Sequence, residues 1–309
     1  MTFYEHITEF AGKPVVDWDS ESSAEALEGV TVRIGVDWDE YEEGVKWIDK
    51  FAAYLDHPAS AKATGLVVGA WDGLAEMAGD PNLVVEAIVS ARERLTNLTS
   101  LYFAEVVSEE CEVSWIELAD LSPIFAAYPA LEYFAVRGGP GLSLGAPRLP
   151  SLRSLVVETG GLNGEVVREV TRASLPGLEH LELWLGTENY GATVAVEDLE
   201  PILSGSLFPN LKYLGLRDSD IADAVAAAAA NAPILERIEI LDLSMGTLGD
   251  EGVEALLASP NLTRLKKLDI HHHYCTDAMM ARLEGAGVEV DLSQREDESK
   301  YGRYVAVGE

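Results

Sequence analysis

Leu211-Lys212-Tyr213-Leu214-Gly215-Leu216, Ile238-Glu239-Ile240-Leu241-Asp242-Leu243 and Leu265-Lys266-Lys267-Leu268-Asp269-Ile270 are one phrase written three times, at a constant step of 27 residues. After each come a polar or glycine turn, one more apolar residue (Ile221, Leu248, Cys275) and a segment rich in Ala and Leu. Alternation of this kind marks a strand whose two faces differ, and the segment that follows reads as a helix. A strand and helix recurring at such a step cannot bury an apolar face alone. Neighbouring copies must stack, and the chain becomes a solenoid.

The phrase extends in both directions. Its first positions fall at Thr31, Ala63, Leu98, Leu131, Leu152, Leu178, Leu211, Ile238, Leu265 and Gly287, with fourth and sixth positions running from Ile34/Val36 through Leu181/Leu183 to Val290/Leu292. Intervals range from 21 to 35 residues, so the connections differ in length. The two short ones, Leu131 to Leu152 and from Gly287 onward, lack room for a full helix. Near the start, strands are predicted over Thr31 to Asp37 and Ala63 to Gly69. Helices are predicted over Glu40 to Leu55 and over Pro81 to Leu95, the latter with Pro in its first turn. The ninth position holds Val106, Gly139, Gly160, Gly186, Ser219, Gly246 and His273; its four glycines predict a turn with positive φ there.

With these residues in view, the chain resembles the leucine-rich-repeat superfamily over Thr31 to Leu292, and its long helical connections resemble the ribonuclease-inhibitor-like branch. The phrases Glu109-Glu110-Cys111-Glu112-Val113-Ser114-Trp115-Ile116, Val136-Arg137-Gly138-Gly139, Leu183-Trp184-Leu185-Gly186 and His272-His273-Tyr274 are similar to an uncharacterised family of cytosolic bacterial repeat proteins common in actinomycetes. The resemblance implies a fold and a compartment, and brings no catalytic residue with it. The expected architecture is α/β: a right-handed horseshoe solenoid with about ten parallel strands on its concave face and helices on its convex face. Residues 1–30 read as an N-terminal cap, 31–292 as the solenoid, and 293–309 as a polar tail or cap.

Charge narrows the function. A formal net charge of −31, from 53 acidic and 22 basic residues, disfavours nucleic acid as a partner, because a phosphate-tracking surface needs clustered Lys and Arg. A protein partner, and a basic one in particular, fits better. The first residues lack the basic and apolar stretches of a signal peptide, and no run reaches the length of a membrane span, so a cytoplasmic protein without membrane contact is expected. Cys111 and Cys275 lie in repeats too far apart to bridge and are expected as free thiols.

Between the inward apolar positions, the third, fifth and seventh positions should point from the concave face. They supply the candidate binding residues Tyr102, Tyr133, Arg137, Glu158, Glu182, Trp184, Tyr213, Arg217, Asp242, Asp269 and His271. Tyr, Trp and Arg are the residue types enriched at interface hot spots. The alternative is that neighbouring loops shield them. Asp269 and His271 share a face with Asp242 and Ser244 of the preceding strand, an oxygen and nitrogen set that a metal could use. His273, by contrast, reads more simply as a turn residue bonding to backbone. Gly138-Gly139-Pro140-Gly141 lacks the Lys-Ser/Thr of a phosphate-binding loop, and no cofactor motif occurs. The reading is thus a non-enzymatic protein-interaction module. A metal-dependent or hydrolytic enzyme using the acidic and His residues of the concave face, or a structural subunit of a larger complex, are the alternatives.

Overall fold

The computed structural model describes residues 3–299 and 302–308. By its internal packing the chain divides into two units, one ending at Ser154 with residues 173–175 added, the other formed by 155–172 and 176–308. The division falls directly after the 21-residue interval, where no helix forms among the described residues.

The first unit contains β1 (Glu9–Phe10), β2 (Lys13–Asp17), β3 (Thr31–Ile34), β4 (Gly65–Val68), β5 (Ser100–Phe103) and β6 (Tyr133–Arg137). β1 and β2 form an antiparallel pair, and from β2 onward the strands are parallel and in chain order. Its helices are α1 (Trp38–Glu42), α2 (Trp47–Asp56), α3 (Pro81–Ser90) and α4 (Ser122–Ala127). The single helix expected from Glu40 to Leu55 is two. Asp37 and Glu40 start α1 with a reciprocal capping box, and Gly44, at φ +82°, turns the chain before α2 begins. Asp80 caps α3, whose first residue is Pro81.

The second unit takes β7 (Ser154–Glu158) from Leu155 on, then β8 (His180–Gly186), β9 (Tyr213–Ser219), β10 (Ile240–Asp242), β11 (Lys267–Asp269) and β12 (Glu289–Asp291). Its helices are α5 (Gly164–Arg172), α6 (Val196–Leu203), α7 (Ala222–Ala230), α8 (Asp250–Ala258) and α9 (Asp277–Glu284). β8 to β12 pair in parallel, with Leu181, Leu214, Leu241, Leu268 and Val290 opposite one another in turn. The four leucines are fully buried. A one-residue slip would turn that whole column out of the core, so the register is tightly specified. The Ala-rich α7 lets α8 approach closely: a Cβ on Gly252 would lie 2.7 Å from Asp223 Oδ1, which instead accepts the Gly252 N–H at 3.0 Å.

All ten expected strands form, and β3 to β6 in the first unit and β8 to β12 in the second pair in parallel and in sequence order, which is the arrangement of a leucine-rich-repeat-like solenoid. The first repeat is registered two residues earlier than expected. Val32 and Ile34, not Ile34 and Val36, pair with Leu66 and Val68. Apolar residues at 32, 34 and 36 make the pattern equally good after a shift of two, so alternation alone does not choose. The cap also holds more structure than expected, since β2 joins the sheet beside β3.

The turn after the strand differs as well. Positive φ occurs at the eighth position, in Gly138, Asp218, Met245, His272 and Gln294, four of which are not glycine. Among the ninth-position glycines, Gly186 takes positive φ, whereas Gly246 is required for space, because a Cβ there would come within 2.6 Å of Ser219 O. Residues 302–308 then run back along these turns as a strap. Tyr304 N–H donates to Tyr274 Oη, Ala306 N–H to Met245 O, and Val307 N–H to Asp218 Oδ1. Val305 and Val307, in the strap itself, are buried.

Candidate partner-binding site

On the strand face opposite the leucine column, β8, β9 and β10 carry a closed polar network. Tyr213 occupies the third position of its repeat, and two residues on is Gly215, whose missing side chain leaves room for the Tyr213 ring; a Cβ at Gly215 would lie 3.0 Å from that ring. The ring therefore leans over its own strand, its hydroxyl donating to Asp242 at 2.6 Å and lying 3.4 Å from Glu182. Arg217 donates to Glu182 at 2.6 Å and to Ser244 Oγ at 2.9 Å, with Asp242 3.4 Å away. Trp184 Nε1 donates to Glu182 at 2.7 Å, and the Arg217 guanidinium lies 5.6 Å above the Trp184 ring.

Burial alone would raise the Glu182 pKa. The His180 side chain and the Arg217 charge overcome it and hold the carboxyl well below the usual carboxylate range. Burial acts against the charge on Arg217 too, but Glu182 and Asp242 hold it protonated. Tyr213, desolvated and faced by two carboxylates, is held far above its ordinary range and remains a phenol. These groups spend their bonding capacity on one another.

The expectation that all these side chains stand open to a partner is thus corrected for most of them. Trp184 is fully buried, and Glu182, Arg217 and Asp242 are also buried. Glu158 is fully buried, as are Tyr102 and Arg137 in the first unit. There the N-terminal segment is the cover: Phe10 packs 5.6 Å from Tyr102, Phe3 lies 5.5 Å from the Arg137 guanidinium, and Arg137 donates to Val106 O at 2.6 Å. Alternation assigns a face correctly but says nothing of what covers it. Tyr133, Tyr213 and His271 keep partial access.

Besides His271, the third-position residues of β8 to β11 stay accessible: His180, Tyr213, Ile240 and Lys267 are all half-buried and adjacent in turn in the strand register. His180 stacks on Tyr213 with ring centroids 4.0 Å apart and planes 7° from parallel. The sequence places these residues in one column, and nothing in it separates that column from the covered fifth and seventh ones.

Asp269 and His271 meet as expected, His271 Nδ1 lying 2.7 Å from Asp269 Oδ1. Asp291 completes a group of three whose ligand atoms lie within 4.8 Å of one another. Asp242 is not part of it, and both Asp242 and Ser244 face Arg217 instead. Lys267 Nζ sits 2.8 Å from Asp269 and 3.6 Å from Asp291, so an ammonium already supplies the positive charge these carboxylates face. His271 and Lys267 hold Asp269 well below its ordinary pKa against the desolvation that would raise it. His273 is a turn residue as expected: it bonds to Leu292 O and accepts from the Cys275 N–H.

No family model matches the sequence, and no curated protein matches it. Among solved structures, a Bacteroides fragilis protein determined by a structural genomics consortium is 31% identical. The alignment covers 90% of this chain and 77% of that one, with a TM-score of 0.82. An internalin from Listeria monocytogenes aligns over 89% of this chain and 90% of its own at 16% identity; its TM-score of 0.29 is too low to indicate a shared fold.

Proposed function

We propose that this chain, which belongs to the same family as that Bacteroides fragilis protein, is a non-enzymatic protein-interaction module whose partner docks on the third-position row of the strands. The observation that carries the reading is the His180–Tyr213 stack. It is a half-exposed aromatic platform whose hydroxyl is fixed to Asp242 and whose base is the Glu182–Arg217–Asp242 network, flanked by Ile240 and Lys267. An aromatic pair held rigid before binding loses little entropy on association, which is how hot spots are built. The buried acids and Arg217 serve as its support. Burial and full pairing leave none of them open to a substrate, which favours recognition over catalysis.

The same reading takes each unit's parallel crossovers to be right-handed, as strand–helix–strand connections almost always are. It places the strands on the concave and the helices on the convex side, as in the ribonuclease-inhibitor-like branch. No helix of the described residues is long and apolar enough to cross a membrane. A reducing cytoplasm, with Cys111 and Cys275 kept as buried thiols, belongs to the proposal too.

The test is crosslinking mass spectrometry of partners recovered with the full chain and with Ile240→Glu, which places a charge in the row without touching the core. Recovery of the specific partner should fall about tenfold or more while the thermal midpoint stays near wild type. Recovery at wild-type levels with a folded variant overturns the assignment of this row.

A further inference from the structure

The loops at the carboxyl ends of β3 and β4, in the first unit, enclose a cleft that the strand-face reading does not use. Its two lobes, of 440 and 350 Å³, share Val36, Asp37, Ala70 and Glu110. In the larger lobe the charges are already paired. Lys50 Nζ lies 2.6 and 2.7 Å from the two oxygens of Glu40, His6 faces Glu105 and Glu110 at 3.0 and 3.5 Å, and Arg33 bridges Asp17 and Glu105 at 2.6 and 3.1 Å.

The smaller lobe is of another kind. Its walls are Trp38, Tyr41 and Trp71 with the aliphatic Val36 and Leu74, and its charged lining consists of carboxylates alone. Asp37 is occupied in capping α1, and Glu110 accepts the Val107 N–H and faces His6. Glu109 is exposed, and its carboxylate has no ion-pair or hydrogen-bond partner among the described residues. Trp38 is 55% exposed and tilted 5.9 Å from Tyr41, whose hydroxyl is tied to Glu76 at 2.7 Å. Tyr4, Met77 and Trp115, on the segments that build the cleft, are exposed as well.

From this pairing of aromatic walls with an uncompensated carboxylate, we infer that the smaller lobe receives the side chain of a lysine or arginine presented by a basic segment of a partner protein. The methylene stem packs on Val36 and Leu74, the cationic head lies over the Trp38 ring, and Glu109 supplies the opposite charge. Aromatic faces attract cations most strongly where water is partly excluded, and a net charge of −31 raises the encounter rate with any basic segment. The inference rests on the reading of the chain as an interaction module only in taking the cation to be carried by a polypeptide.

Tryptophan fluorescence of the full chain titrated with acetyl-glycyl-lysyl-glycinamide tests it, with the norleucine analogue and free spermidine as parallel probes. The lysyl peptide should bind saturably, the norleucine analogue should not, and Trp38→Ala or Glu109→Gln should each weaken binding about tenfold. Both side chains are exposed, so both variants should fold, and far-ultraviolet circular dichroism checks that they do. Ile240→Glu should leave this titration unchanged, which separates failure of the cleft from failure of the strand-face reading. No saturable binding at millimolar peptide, equal binding of the norleucine analogue, or unchanged binding by Trp38→Ala would overturn the inference. Tighter binding of spermidine than of the peptide would assign the lobe to a free polyamine instead.

Discussion

Trp184 in the second unit has no exposed surface, and Trp38 in the first is 55% exposed, although the same alternating sequence surrounds one as introduces the other. The difference follows from where each ring sits relative to its strand. Trp184 lies on β8, where like positions of paired strands stack and the polar side chains of one strand reach those of the next: Glu182, Arg217 and Asp242 close on each other. Trp38 lies past the end of β3, where the segments that follow β3 and β4 wall a cleft. Strand pairing consumes side-chain bonding capacity within the fold, and the segments beyond the strands leave some of it for a ligand.

That contrast is open to measurement. Trp184→Ala should destabilise by about 3 to 5 kcal/mol in urea denaturation, because it empties a fully buried site and leaves Glu182 short of a donor. A loss below about 1 kcal/mol would show the strand face of the second unit to be as open as the first unit's cleft. Leu241→Ala, in the buried leucine column, should cost about 2 to 5 kcal/mol by the same arithmetic, and a much smaller value would mean the register is wrong. Gly215→Ala should cost about 1 to 3 kcal/mol by forcing Tyr213 off its seat; Gly215→Ala combined with Tyr213→Ala should cost less than the two single changes summed.

In the first unit the expected effects are smaller. His6, held by Glu105 and then Glu110, has its pKa raised to about 9. A raised pKa means the anchoring of the N-terminal segment is fully present below the unfolded value near 6.5 and is lost as pH rises through about 9. The protection factor at Ile7, whose N–H donates to Glu105, that is, its exchange relative to the intrinsic base-catalysed rate, should fall over that window, and in His6→Ala it should be low and independent of pH. Trp38→Ala should change stability by no more than about 0.5 kcal/mol, since the ring covers little of the core. A Trp38 loss as large as the Trp184 loss would dissolve the comparison between the units.

Much of the fold was legible because burial of a leucine column is written directly into the alternation: ten strand positions and the helix-free short interval follow from it. Val32, Ile34 and Val36 defeated the register only because a shift of two preserves their pattern. β2 escaped notice because Lys13-Pro14-Val15-Val16 is short and interrupted by proline. The eighth-position turn is invisible for a different reason: Met245 and His272 take left-handed backbone that their side chains do not announce. The candidate sites were half legible. The columns are local in sequence, whereas the cover over Tyr102 comes from Phe10, and the cleft joins Trp38, Trp71 and Glu109 from three separate segments.

The strap of residues 302–308 changes how the second unit should come apart. In a stacked array each repeat touches only its neighbours, so unfolding can begin at an end and proceed copy by copy. Val307 bonds to Asp218 across 89 positions of sequence and Arg303 to Asp223 across 80, while Tyr304 and Ala306 pin the turns of two intervening repeats. These long-range ties join repeats that would otherwise fray separately. The strap's loop-closure entropy is repaid only after the turns exist, so it docks late in folding. Once docked, it makes the loss of the last repeats a single cooperative event, in the way a binding strip holds loose pages as one block.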